Sequence, residues 1–148
     1  MGKTKLDQSI DTIAGECIAV RLRVLNRVVS KIYDDALRPL NIKVSQMNIL
    51  VAAGKMGLAR PAEICEHLHL DLSTLSRNVE RMKAKGWVEV VADEDGRAQP
   101  FRLTSHGRRL LEQAYPAWTR AQKKAKALLG EKVADVLSGA VQQLTSGN

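Results

Sequence analysis

The chain has 148 residues, enough for one domain that buries about 70% of the surface its unfolded form exposes. Its 23 Lys and Arg residues outnumber its 16 Asp and Glu residues, and this net charge of +7 favours a polyanionic partner. Two Trp, two Tyr and one Phe are too few for recognition by base stacking, which argues against a binder of RNA or single strands. The N-terminus has no unbroken apolar run, so we expect a cytoplasmic protein without a membrane span.

Apolar residues recur at helical spacing across residues 7–37 and predict one long first helix. A helix of about 30 residues reaches about 45 Å, longer than a small domain needs, so its overhang predicts a packing partner. The apolar positions are Ile10, Ile13, Cys17, Leu25, Val28, Ile32 and Ala36.

Three shorter helices are predicted next. Ser45 is a candidate cap for a helix that ends near Gly54 and Gly57, and Pro61 falls in the first turn of the following helix, where its missing N–H has no effect. A turn around Asp71 then leads into a helix over residues 72–85. The last two of these helices, with the turn between them, predict a helix-turn-helix.

The helix over residues 72–85 has two different faces. Asp71 is suited to cap its start, and Gly86 to stop it. At about 100° per residue, the inward stripe holds Leu72, Leu75, Val79 and Met82, and the opposite face holds Ser73, Arg77, Glu80, Arg81 and Ala84. This polar face suits a helix in a DNA major groove and equally suits a solvated surface helix.

A β-hairpin is predicted directly after this helix. Residues 87–91 favour a strand, residues 93–96 are a turn signal, and residues 100–103 return as the second strand. Pro100 has no N–H to donate, so its strand should be a sheet edge. Arg97 then lies near an exposed hairpin tip, from which it can enter a minor groove and sense the width of that groove.

The hairpin carries a specific motif. Asp95-Gly96-Arg97, five further residues, Leu103-Thr104 and then Gly107 resemble the D-x-R-x5-L-T-x-x-G wing signature of the multiple-antibiotic-resistance repressor (MarR) family. The resemblance extends back through the three preceding helices and covers residues 41–107. It implies a mainly α-helical winged helix-turn-helix protein with a small β-hairpin wing, usually dimeric and often a repressor that a small molecule releases from DNA.

The resemblance also assigns candidate DNA contacts. The recognition helix is the helix over residues 72–85, and its small hydroxyl side chains and arginines would meet the major groove. By matching position and outward orientation, the candidate DNA-binding residues are Ser73, Thr74, Ser76, Arg77, Arg81 and the wing residue Arg97.

The wing departs from the family at one position. Many members have Arg or Lys where this chain has Gly96, so its wing offers one cation fewer. Asp95 is expected to orient the wing by pairing with a nearby arginine rather than to contact DNA.

The two ends of the chain are expected to form a dimerisation layer. Two further helices are predicted over residues 105–129 and 131–144, the first bent or interrupted at Pro116. A single MarR-like domain over residues 1–148 would then comprise dimerisation helices at 7–40 and 108–146 around a DNA-binding core at 41–107. Such a dimer places two recognition helices about 34 to 36 Å apart on a pseudo-palindrome. An ordinary intramolecular helical core is the alternative.

No residue set predicts catalysis, a metal site or a cofactor. Cys17 and Cys65 are too few for a disulfide framework, and we interpret Cys65 as a packing residue. Cys17 is the candidate for redox sensing. In the redox-sensing branch of the family, the reactive cysteine is accompanied by tyrosines that this chain lacks in the corresponding places. His67 and His69 lie about 200° apart on a helix and do not converge on one metal ion.

Two hypotheses about function remain open at this point. The first is a dimeric repressor of pseudo-palindromic operators, relieved by a small-molecule effector that is apolar or anionic. The second is a winged-helix module that binds an acidic protein, or binds DNA without sequence preference, and has no effector. Arg77, Arg81 and Arg97 favour the first hypothesis, whereas Gly96 and Glu80 favour the second.

Overall fold

The protein is described here by a computed structural model that covers residues 2–93 and 96–146. It is mainly α-helical with one small antiparallel hairpin, which confirms the predicted fold class. In chain order the elements are α1 (Lys5–Glu16), α2 (Ile18–Leu37), a 3-10 turn (Arg38–Leu40), α3 (Val44–Met56), α4 (Pro61–Leu68), α5 (Leu72–Ala84), β1 (Val88–Val90), β2 (Phe101–Leu103), α6 (Ser105–Leu129) and α7 (Glu131–Thr145).

The start of α3 is held by a side chain from α2. Asp34 Oδ1 accepts a hydrogen bond of 2.8 Å from the Val44 N–H, which would otherwise lack a partner at the helix N-terminus. The predicted cap, Ser45, lies inside the helix, so that prediction is wrong, whereas Gly57 is the C-cap and Pro61 the first residue of α4. The contact to Asp34 ties the winged domain to α2.

The winged domain is built around one apolar core. Helix α2 contributes the fully buried Leu37 to it, and helices α3, α4 and α5 and the hairpin contribute Ile49, Leu50, Ile64, Leu75, Met82 and Phe101. Leu72 was predicted on the same inward stripe but is 60% exposed, because it is the first residue of α5 and extends beyond the core.

The hairpin has a third, one-residue neighbour. Val88 pairs with Leu103 and Val90 with Phe101 in the antiparallel register. On the other side of β2, Phe101 exchanges two backbone hydrogen bonds with Ala59, at 2.8 and 2.9 Å. The prediction that this strand is a sheet edge is therefore wrong at Phe101. Pro100 lies just outside the paired residues, and its carbonyl accepts a hydrogen bond from the Val91 N–H.

The predicted long first helix is two helices. Cys17 has extended backbone angles (φ −63°, ψ 108°) and separates α1 from α2. Gly15, a weak helix former by about 1 kcal/mol relative to Ala, precedes the break. A Thr4–Asp7 capping box begins α1, and the hydrogen bonds that Asp7 accepts from Thr4 lower the pKa of the Asp7 carboxyl from its ordinary value.

Helix α6 runs unbroken through Pro116, contrary to the predicted interruption. It packs along α2 through small side chains, and Tyr33 on α2 donates a hydrogen bond to Gln122 on α6. Burial raises the pKa of the Tyr33 hydroxyl. The buried small residues of α6 are Gly107, Ala114, Ala117, Ala121 and Ala125.

Helices α1 and α7 bury none of their own residues. Each carries an exposed apolar stripe, which comprises Leu6, Ile10 and Ile13 on α1 and Val133, Val136, Leu137, Val141 and Leu144 on α7. Within the residues that the structure describes, no helix has the length and apolar character needed to cross a membrane.

Candidate nucleic-acid interface

Helix α5 presents a polar face to solvent. Ser73, Ser76, Arg77 and Arg81 are exposed, and Thr74 is half-buried. The opposite face of α5 is buried, so the helix has the predicted inner and outer sides. Leu72 is an exception, because it was predicted to face inward but is exposed.

The two arginines of this face make no side-chain contacts with charged partners among the described residues. Neither Arg77 nor Arg81 makes a side-chain hydrogen bond or an ion pair with another described residue. Glu80 is the one acid on this face. Its Oε1 atom lies 4.0 Å from Lys83 Nζ, so its charge is close to a positive charge on the same helix. Among the described residues, no acceptor uses the donors of these two guanidinium groups.

The turn before α5 sets its direction. His69 adopts the left-handed conformation (φ 51°) at the end of α4, and the Leu70 N–H donates to the Cys65 carbonyl at 3.0 Å. Asp71 occupies the N-cap position with extended backbone angles, but its side chain makes none of the predicted capping hydrogen bonds. Its carboxylate is consequently exposed at the helix start.

The Leu-Thr-x-x-Gly half of the motif holds the root of the wing. Leu103 is buried, and Thr104 Oγ1 donates to the Gly86 carbonyl at 2.5 Å while accepting from the Gly107 N–H at 3.0 Å. A Cβ on Gly107 would lie 2.1 Å from the Trp87 carbonyl oxygen, so only glycine allows this approach. These contacts join α5, the hairpin and α6 at one point.

The wing beyond this root is exposed. Arg97 is exposed and follows Gly96, which has a positive φ of 62°. Asp95, the predicted wing-orienting residue, lies outside the described residues. Asp93, two residues earlier, contacts Arg60, and the distance from Asp93 Oδ2 to Arg60 Nη1 is 3.5 Å. This pair links the wing to the residue before α4. Sequence analysis missed Arg60, whose signal was only its position before Pro61.

The remaining reactive residues do not gather into a site. Cys65 packs against the apolar core, and Cys17 is half-buried at the junction of α1 and α2. Over residues 2–93 and 96–146, no group of three or more His, Cys, Asp or Glu side chains could hold a metal ion.

The comparisons with known proteins point to one family. The sequence model of the MarR family matches residues 40–98, which run from the end of the 3-10 turn to the wing. The multiple antibiotic resistance protein MarR of Salmonella typhimurium is 29% identical over 114 residues, 75% of this chain and 79% of that protein. These matches identify residues 40–98 as a MarR-family segment, and the chain resembles MarR proteins over three quarters of its length.

Solved structures extend the likeness to the terminal helices, which lie outside the matched segment. The structure of an Escherichia coli MarR mutant complexed with operator DNA has a TM-score of 0.78 at 21% identity, covering 90% of this chain and 96% of that one. The Mycobacterium tuberculosis regulator MosR in complex with DNA has a TM-score of 0.76 at 28% identity, covering 88% and 98%. Over about nine tenths of its length the chain thus has the MarR fold, and the MarR family is one of DNA-binding transcriptional regulators.

Proposed function

We propose that this MarR-family protein is a cytoplasmic, sequence-specific repressor that binds double-stranded DNA as a homodimer and has no enzymatic activity. The observation that carries the proposal is the exposed face of α5, where Arg77 and Arg81 have no partner among the described residues. The net charge of +7 supplies the general attraction to DNA.

The contacts divide into two kinds. Ser73, Thr74, Ser76, Arg77 and Arg81 would meet the major groove, where an arginine paired with a guanine discriminates by about 1 to 3 kcal/mol. Arg97 would enter the adjacent minor groove and neutralise phosphates, while Asp95 would orient the wing around it. Major-groove contacts set sequence preference, and the wing adds affinity.

A homodimer would cover the exposed apolar stripes. The stripes of α1 and α7 and an exposed row on α2 comprising Val20, Val24 and Val28 lie on helices at the two ends of the chain. A two-fold dimer through these helices would present two copies of α5 to successive turns of a pseudo-palindrome.

Release by a small molecule, apolar or anionic, completes the repressor hypothesis. A ligand shifts a protein between two dimer geometries only to the extent that it binds one more tightly than the other. An effector would therefore favour a spacing of the two recognition helices that does not match successive major grooves.

A gel-shift titration against the DNA upstream of the protein's own gene, at two salt concentrations, tests the proposal. We expect one dimer per site and binding that resists a scrambled competitor. Equal and salt-labile binding to both DNAs would leave only electrostatic attraction and favour the second hypothesis, a module without sequence preference.

A further inference from the structure

An open cleft of about 910 Å³ lies between the winged domain and α2. One wall is a single face of α2, and the other is formed by the start of α3, by the side of α5 that bears Asn78 and Arg81, and by Lys85 directly after α5. Arg81 belongs both to this cleft and to the proposed DNA-binding face. The cleft therefore adjoins the surface on which DNA would lie.

The cleft carries a large excess of positive charge. Among the residues that the structure describes, seven Lys and Arg side chains and two carboxylates, Asp34 and Asp35, line it. Asp35 pairs with Lys31 at 2.8 Å and with Arg38, and the hydrogen bond from Lys31 lowers the pKa of the Asp35 carboxyl. Asp34 accepts the hydrogen bond from the α3 backbone. Both acids are thus already engaged within the protein.

Five cations of the cleft remain without a carboxylate partner in the part of the chain that the structure describes. They are Arg23, Arg27, Lys43, Arg81 and Lys85. Lys85 is held in place by the Asn41 carbonyl at 2.8 Å and by the Trp87 ring, whose centroid is 4.4 Å from Nζ. Like charges held together without counter-charges favour an anionic occupant.

The lining decides which kind of anion fits. Of the sixteen described residues that line the cleft, Ile42 alone has an apolar side chain. Pockets for small organic ligands are lined mainly by apolar and aromatic groups, so an aromatic acid would find little surface to bury here. A phosphodiester backbone needs only cations and hydrogen-bond donors.

We propose that this cleft is a second DNA-contacting surface, in which Arg23 and Arg27 of α2 bind backbone phosphates next to the segment read by α5. The two arginines are four residues apart, so they lie about 6 Å apart along one face of the helix. Arg81 continues the same positive surface onto the recognition helix. The contact adds affinity without reading bases, and it rests on the DNA-binding function proposed above.

The test measures how DNA affinity depends on salt. Fluorescence anisotropy at several KCl concentrations gives the slope of log K against log salt for the upstream DNA and for a scrambled duplex. In an Arg23→Ala/Arg27→Ala double variant we expect the slope to become shallower by about 0.9 for each lost phosphate contact, thus by about 1.8 per protomer, on both duplexes. The preference for the upstream DNA should be unchanged.

Two further variants separate charge from other effects. An Arg23→Lys/Arg27→Lys variant keeps both charges and should keep the wild-type slope. Arg120→Ala removes an exposed arginine of α6 outside the cleft and should also leave the slope unchanged.

An unchanged slope in the alanine variant would overturn the proposal. A second outcome would also overturn it. If the wild type bound inorganic phosphate or benzoate by calorimetry, and the alanine variant lost this binding but kept the wild-type salt slope, the cleft would hold a small anion rather than DNA. The scrambled duplex keeps this test separate from the proposed function, because its slope is measurable even if the protein shows no preference for the upstream DNA.

Discussion

Arg77 lies near the middle of the exposed face of α5, and its guanidinium group has no partner within residues 2–93 and 96–146. A bidentate contact between arginine and the O6 and N7 atoms of guanine is the commonest specific contact in the major groove. The same group held by an internal carboxylate would contribute far less, because that pairing would have to break before DNA could bind.

Replacing Arg77 with Ala should therefore weaken binding to the cognate operator by about 1 to 3 kcal/mol while sparing scrambled DNA. Anisotropy titrations at fixed salt measure both affinities. Arg120→Ala serves as the control for loss of one positive charge. An equal loss of affinity on both DNAs would show that Arg77 contributes charge rather than base recognition.

Arg97 differs from Arg77 in its place on the molecule. It lies on the exposed wing, and the glycine before it, Gly96, supplies no second cation. Arg97→Ala should weaken binding to all DNA sequences and flatten the salt slope by about one unit per protomer, because one phosphate contact is lost. The same salt series measures this, and a wild-type slope would mean that the wing does not contact the DNA backbone.

At the scale of elements, the root of the wing depends on one close approach. The backbone of Gly107 at the start of α6 packs against the Trp87 carbonyl, and Thr104 spans the two elements with one donated and one accepted hydrogen bond. The position of the wing is therefore determined by contacts with α6 and with the end of α5 rather than by its own two short strands.

A Gly107→Ala substitution should lower the free energy of unfolding by about 1 to 3 kcal/mol, because the new methyl group forces the backbone apart. Urea denaturation measures the change. Gly139→Ala on α7 is the matched control, since a Cβ there meets nothing within 4 Å, and it should be neutral or stabilising by up to about 1 kcal/mol. Equal stability of the two variants would contradict the close packing at Trp87.

The break between α1 and α2 shows a limit of periodicity. One extended residue, Cys17, interrupts the helix, yet apolar residues continue on both sides at helical spacing. A spacing pattern reports which residues share a face and is insensitive to a single non-helical residue. Pro116 shows the converse, since α6 continues past a residue that removes one backbone hydrogen bond.

At the scale of the whole molecule, the exposed stripe of α7 favours association. Val136 is 69% exposed and Val141 is 59% exposed in the single chain. Burial of such side chains contributes about 25 cal/mol for each Å² removed from water. A second copy with the same stripe is the partner that two-fold symmetry supplies.

A Val141→Asp substitution should accordingly shift the dimer toward monomer and weaken DNA binding, because a charge would be buried in the interface. Sedimentation velocity at micromolar concentration measures the shift. Gln142→Asp adds the same charge on the opposite face of α7 and should leave the dimer intact. A Val141→Asp protein that remained dimeric would place the interface elsewhere.

The elements of the DNA-binding core followed from local chemistry. The proline at the start of α4 and the inward stripe of α5 are properties of neighbouring residues, and they predicted the helix-turn-helix and the orientation of Arg77. The D-x-R-x5-L-T-x-x-G spacing identified the wing through its resemblance to the MarR family. The predicted helix boundaries at Ser105, Leu129 and Glu131 agree with the structure, in which Thr104 caps the start of α6 and Gly130 separates α6 from α7.

Contacts between residues distant in the chain were decided only by the tertiary structure. The pairing of Ala59 with Phe101, the cap that Asp34 gives to α3 and the cleft shared by α2 and α5 join segments that no spacing rule connects. Local sequence determines which face of an element is polar or apolar. Which cations then share a surface depends on how the elements pack, and for this reason Arg23 and Arg27 carried no signal until α2 was placed beside the recognition helix.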